Sequence, residues 1–322
     1  MNKKGIAFII VAIVFLAVMS IIHFSGASYN LKDKQSAIEI RMVTMNDFLK
    51  DFYGDAERAA YISGYRTFIA MEEHISQDSH AFLTDPEATF IECFMNGTID
   101  GNSIDIMENS SFSSYQDRVN AISNTFDVDF SANLTHVAME HNDPWNVNVT
   151  MDFDIFVQDR KGLAKWETQK RIITQIPIID LKDPLYSVKS GLVVTVKPFS
   201  GDFFVNDSSD QNDTSGLYAM FNESYYMASA RAPSFVMRFS GNLSNSTYGI
   251  ESFVNTEDLS KPGFTTYYYE NNSIIDYIYF NGSIDTAKYC TFQNLPGFFK
   301  LDNETVNSGM YGIFGNISYG LC

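Results

Sequence analysis

From Ile6 to Phe24 the chain runs without an Asp, Glu, Lys or Arg. As a helix this run rises roughly 28 Å, close to the hydrocarbon thickness of a bilayer. The pattern then changes. Between Leu31 and about Ser76, Ile38, Met42, Met45, Leu49, Phe52, Ala56 and Ala59 recur at steps of four and three, with Asp, Glu and Lys on the other face. That spacing predicts an amphipathic helix, with Gly26 and Gly54 as expected bends or breaks. Ser114 to Ser123 reads as a short second helix, and Ile91 to Gly101 as an element closing on a glycine turn.

Farther on, the period falls to two. Trp145, Val147, Val149, Met151, Phe153, Ile155 and Val157 alternate with mostly polar residues. This predicts a strand with one buried face. Asp159-Arg160-Lys161-Gly162 reads as a turn, and Lys165 to Ile178 as the returning strand of a long antiparallel hairpin. Phe126 to Phe130 is a candidate third strand. Asp183-Pro184-Leu185-Tyr186 reads as a boundary. Beyond it, Val193 to Val196, Phe235 to Phe239 and Ile274 to Phe280 are short strand-like runs. The expected fold is α+β: an N-terminal transmembrane helix and an amphipathic helix, followed by antiparallel β-sheet domains, sandwich-like. Its expected parts are a basic cytoplasmic leader (1–5), the transmembrane helix (6–26), an amphipathic stalk (27–77), an exterior domain with the long hairpin (78–184) and a mostly β exterior domain (185–322).

Lys3 and Lys4 orient the apolar run: under the positive-inside rule they stay in the cytoplasm, and the C-terminal part lies outside the cell. Three fates of the run remain open. It is a permanent anchor, a signal peptide cut after Ala27, or a helix retained after cleavage between Gly5 and Ile6. Lys-Lys-Gly followed directly by the apolar run resembles the leaders of archaeal type IV pilin-like proteins, which are removed on the cytoplasmic side. Bacterial pilins carry Glu at the fifth mature position, where this chain has Ile10.

Thirteen Asn-x-Ser/Thr triplets begin at Asn96, Asn109, Asn133, Asn148, Asn206, Asn212, Asn222, Asn242, Asn245, Asn271, Asn281, Asn303 and Asn316. Ser and Thr make up about one sixth of the chain, so chance among its 25 Asn gives roughly four. The excess points to N-glycosylation, which requires an exterior location. The net charge of −17 argues against nucleic acid, whose phosphates require clustered Lys and Arg. Of the three cysteines, Cys290 and Cys322 are the favoured disulfide pair, which leaves Cys93 buried and reduced or linked elsewhere.

No catalytic signature, cofactor fingerprint or zinc spacing emerges. His136, Glu140 and His141 have the wrong spacing for one helix face, and His74 and His80 flank a helix end. Asp152 and Asp154 read as the solvated side of their strand. The loop Asn206 to Asp213 offers oxygen ligands but lacks the glycine and distal Glu of a calcium loop. Aromatic clusters at Tyr267 to Tyr269 and at Phe298-Phe299 are expected mainly as core.

Several blocks resemble a recurrent set of membrane-anchored surface proteins of small-genome archaea. They include Glu57 to Arg66, Cys93 to Thr98, Asp183 to Tyr186, Ala232 to Ser244, Tyr248 to Ser252 and Ile275 to Phe280. The resemblance implies a membrane-anchored setting and carries no activity. The functional expectation is a non-enzymatic surface component, pilin-like or adhesive. Its partners are the lipid bilayer, through the N-terminal helix, and other copies or surface proteins. The alternative is an anchored receptor module for glycans or proteins.

Overall fold

The computed structural model describes residues 3–126, 128–201, 205–207, 210–213, 215–261, 273–282, 289–291, 295–307 and 311. Within these, the side chains of 3–11, 24–34, 77–79, 205–207, 210–213, 291, 303 and 307 lie outside the description.

The elements follow in chain order. Helix α1 (Lys3–Glu73) ends in a π-helical turn (His74–Ser79), followed by α2 (Pro86–Asn96), the ladder β1 (Thr98–Ile99) and β2 (Asn102–Ser103), and α3 (Phe112–Ser123). Next come three long strands, β3 (Val128–Asp143), β4 (Asn146–Asp159) and β5 (Lys165–Pro177), hydrogen-bonded in that order. The remainder alternates short helices and short ladders: α4 (Pro184–Ser190), β6 (Val205–Asp207), β7 (Asp210–Asp213), α5 (Ser215–Glu223), β8 (Tyr226–Ala228), α6 (Phe235–Phe239) and β9 (Ile250–Ser252). After these lie α7 (Thr256–Leu259), α8 (Asp276–Asn281), β10 (Tyr289–Thr291), β11 (Lys300–Asp302) and α9 (Asn303–Asn307).

The fold is therefore α+β with antiparallel ladders, as expected. The chain divides into two compact units, one of 1–56, 116–135 and 153–170, the other of 57–115, 136–152 and 171–322. In the first unit Met45, Leu49, Phe52 and Ala56 of α1 are buried. Phe52 meets Phe130 and Phe153 at ring-centroid distances of 5.0 and 5.9 Å. Burying each such large side chain contributes about 1.5–3 kcal/mol. Asp159, fully buried in the β4–β5 turn, accepts hydrogen bonds from the Lys161 and Leu163 amides on Oδ2. Its Oδ1 pairs with Arg41 Nε of α1 at 2.8 Å, off hydrogen-bond geometry.

In the second unit α1 buries Ala60, Ser63, Thr67, Phe68 and Met71. The expected stripe is shifted, since Met42 is 46% exposed and Ala60 rather than Ala59 is buried. A repeat averaging 3.5 residues drifts around a helix of 3.6 per turn, so the buried face moves on. Phe68 packs on Phe90 and Phe235.

Three expectations need correction. Neither Gly26 nor Gly54 interrupts α1. Phe235–Phe239 and Asp276–Asn281 are helices, not strands. A short apolar run buried on both sides does not distinguish helix from strand by period. Val193 to Val196 forms only an isolated bridge, Lys182 to Thr195. The transmembrane expectation is not supported: among the described residues no helix is long and apolar enough to cross a membrane. Only 12–23 of that run have described side chains.

Two glycines report close packing in the second unit. A Cβ on Gly249 would lie 2.0 Å from the Ala232 carbonyl oxygen and 2.3 Å from that of Ser229, both backbone atoms with little freedom to move. A Cβ on Gly64 would collide with the flexible Ile176 Cδ1 terminus at 2.2 Å, while Ile176 Cγ1 and Phe90 Cζ lie at ordinary contact distances of 3.5 and 3.6 Å. Gly249→Ala is expected to cost about 3 kcal/mol or more in urea unfolding, and Gly64→Ala about 1–2 kcal/mol, with Ile176→Val recovering part of the latter. Equal costs for the two would contradict this packing.

Candidate functional site

The densest polar constellation is centred on Arg238, in the last turn of α6, within the second unit. The sequence around it is Phe235-Val236-Met237-Arg238-Phe239, an apolar run with one charge, and that charge is fully buried. Arg238 Nη1 donates to Asp183 Oδ2 at 2.6 Å and to Asp276 Oδ2 at 2.7 Å. Its Nη2 donates to the Ile250 carbonyl of β9, while Nε has no partner among the described residues.

Each carboxylate is fixed by its own element. Asp183 is the N-cap of α4, and its Oδ1 accepts from the Leu185 amide at 2.8 Å, with Pro184 pre-set for the first turn. Asp276 opens α8, and its Oδ1 accepts from the Tyr277 amide at 2.7 Å. Hydroxyls fill the remaining acceptor sites. Tyr226 donates to Asp183 Oδ2 at 2.7 Å, Ser252 donates to Asp276 Oδ2 at 3.0 Å, and the Tyr186 and Ser252 hydroxyls are 2.9 Å apart.

Electrostatics here follow from burial. Burial opposes the charge on Arg238, but Asp183 and Asp276 outweigh it and hold the guanidinium protonated. Burial raises the Asp276 carboxyl, with Arg238 pulling the other way. Burial also pushes the Tyr186 and Tyr226 phenols well up, so both stay protonated as donors. Nearby, Glu251 is 1% exposed, accepts a hydrogen bond from the Tyr311 hydroxyl, and is pushed up to about 7 by burial. Glu72 of α1 is likewise pushed well above the usual carboxylate range by burial, with Oε1 lacking a partner among the described residues.

Shifted carboxylates and phenols converge as they do in many active sites. These, however, are sealed: Asp183, Asp276, Arg238 and Ser252 are all fully buried. The arrangement acts as a cross-link that joins α4, α6, β8, β9 and α8.

The residues singled out from sequence are dispersed. Among the described residues no three His, Cys, Asp or Glu side chains converge as metal ligands. His136 and Glu140 are exposed. His141 instead accepts from the Val236 amide on Nε2 at 3.5 Å, so Nδ1 carries the proton and donates to the Asn146 carbonyl at 3.1 Å. Burial lowers its pKa and keeps it neutral. His80 closes the π-helical turn with φ 47°. Asp152 pairs with Arg171 at 2.7 and 2.8 Å, and Asp154 accepts from Gln169 at 2.9 Å, both on the solvated side of β4.

Cys290 is buried and disulfide-bonded, and Cys93 is buried and free, its thiol pushed up to about 11 by burial. Cys322 and Tyr267 to Tyr269 lie outside the described residues, as do the side chains of the loop from Asn206 to Asp213. Phe299 is fully buried against Phe253, and Phe298 packs on Phe221. Among sequons with described side chains, Asn96, Asn109, Asn133, Asn222, Asn242, Asn245 and Asn281 are exposed, and Asn148 is half-buried. Asn206, Asn212, Asn271, Asn303 and Asn316 lie outside that description, as do the side chains of Gly5 and Ile6.

Compared with family models, curated proteins and solved structures, the chain matches none.

Two outcomes test the cross-link. Arg238→Met leaves two buried carboxylates uncompensated and is expected to cost about 3–5 kcal/mol in urea unfolding. Replacing Arg238, Asp183 and Asp276 together by Met, Asn and Asn should cost less than the three single changes summed. Additive losses would contradict a coupled unit. Glu251 gives a pH signature. Its folded pKa near 7 exceeds its ordinary value of 4.5, so its contribution is complete below pH 4.5 and is lost as pH rises to 7. Glu251→Gln should flatten stability against pH across that window, removing a loss on the order of 3 kcal/mol. An unchanged slope would place the titration elsewhere.

Proposed function

We propose that this chain is a non-enzymatic, membrane-attached surface component whose N-terminal helix is held by lipid and whose remainder faces the exterior. The observation that carries the reading is the exposure of α1 on every side between residues 12 and 23. Ile13, Phe15, Leu16, Ile21 and Ile22 are each more than 60% exposed. A helix that is apolar all round needs an apolar surrounding. Leaving these side chains in water costs on the order of 10 kcal/mol. Among the described residues nothing covers them, which favours a cover supplied by lipid.

Two further features support the reading. Lys3 and Lys4 precede the run and favour a cytoplasmic start. The exposed sequons favour an exterior setting for the rest. The sealed polar cluster around Arg238 supports a structural role over a catalytic one. Assembly with other copies through the same helix, as in pilin-like filaments, is the form this role takes if the leader is removed at Gly5.

Peptide mass spectrometry of protein from the native membrane distinguishes these forms. A mature end at Ile6 supports the pilin-like form, an end at Met1 or Asn2 a permanent anchor, and an end at Ser28 overturns both. Ile13→Arg with Leu16→Arg is expected to move the protein from the carbonate-resistant membrane fraction to the soluble one. An unchanged distribution would contradict lipid attachment.

A further inference from the structure

The first unit carries a groove of about 520 Å³ on the solvated face of its strands. Ligand sites commonly span about 300–1,000 Å³. Strand alternation builds it. Phe153, Ile155 and Val157 of β4 turn inward and are buried, so Asp154 and Phe156 turn outward. On β3, Ser131 and Asn133 are exposed on the same lining, and β5 supplies Glu167 and Gln169.

The chemistry of this lining is selective. It combines two hydroxyls, two amides and two carboxylates around one aromatic ring. Gln169 Nε2 already donates to Asp154 Oδ1 at 2.9 Å, which fixes both side chains in place. Lys165 Nζ lies 5.1 Å from the Phe156 ring centroid and 2.6 Å from Glu167 Oε1, adding a donor at the same edge. Such a surface lacks the cation excess a phosphate ligand needs and the apolar enclosure a hydrophobic ligand needs. It suits a polyhydroxylated ligand, whose hydroxyls meet carboxylates and amides while its C–H face lies on a ring. One lining residue, Asn133, begins the sequon Asn133-Leu134-Thr135 and is exposed. A sugar on its amide nitrogen therefore starts inside the groove.

We propose that this groove seats a saccharide, and that the saccharide is the N-glycan carried by Asn133. The assignment rests on the exterior reading above, since glycosylation requires it. The glycan then covers Phe156 and the outward side chains beside it on 131–133, 154–156 and 167–169, and acts as part of the fold of its unit.

The test uses the full-length protein, extracted in detergent from its native membrane. Glycopeptide mass spectrometry first reads Asn133, Asn96 and Asn222, and Asn133 is expected to be occupied. Thermal unfolding then compares wild type, Asn133→Gln, Phe156→Ala and the double variant. Loss of the glycan should lower Tm by about 2–4 °C when Phe156 is present and by less than about 1 °C when it is not. Additive shifts would overturn the proposal. A bare Asn133 beside occupied Asn96 and Asn222 would overturn it while sparing the exterior reading; bare sites throughout would overturn both. Binding of free oligosaccharides by Asn133→Gln protein, lost on Phe156→Ala, would assign the groove to a free ligand and overturn the tethered one.

Discussion

One helix carries two incompatible surroundings. From Met45 onward α1 buries a side chain every third or fourth residue against its own chain. Between 12 and 23 it buries none. A single uninterrupted helix, Lys3–Glu73, thus joins a segment that completes a folded core to one whose side chains at 12–23 are exposed. Helical hydrogen bonds meet the backbone's needs in either surrounding, which allows one element to serve both. The side chains alone decide where each part is stable.

The C-terminal part solves a different problem. Its short helices and three- to four-residue strands in 184–307 offer few backbone ladders, so long-range side-chain contacts carry more of the specification. Arg238 supplies the principal one, drawing together residues 38 and 55 positions away. A buried charge triad of this kind adds little net stability over an apolar core of equal shape. Its effect is on uniqueness: a misplaced helix would leave a carboxylate or the guanidinium buried alone. The backbone oxygens that confine Gly249, beside Ile250, tighten the same corner.

Much of this was legible in sequence where period and turn chemistry agreed. The alternation from Val147 to Val157 is the buried face of β4, and Asp159 to Gly162 is its turn. The Asp183-Pro184 boundary is an N-cap followed by a proline in the first turn. Phe235 to Phe239 and Ile274 to Phe280 carry a strand-like pattern over helical segments because aromatic and branched residues favour strands while burial on two sides hides the period. The polar cluster left a trace that period alone does not reveal: Arg238 and Asp276 are single charges inside apolar runs, the signature of buried partners. Asp159 and Arg41 carried no comparable mark, because turns and polar helix faces ordinarily hold such residues at the surface.

The central claim is that lipid surrounds α1 over residues 12 to 23, and spin-label accessibility measures it most directly. Single cysteines placed along 12–23, in protein whose own Cys93 is replaced by Ser and which is reconstituted in vesicles, report collisions with oxygen and with a water-soluble nickel chelate. The account predicts high oxygen access and low nickel access at every position, with no helical period. Nickel access rising on one face every three to four residues, or throughout, would contradict it.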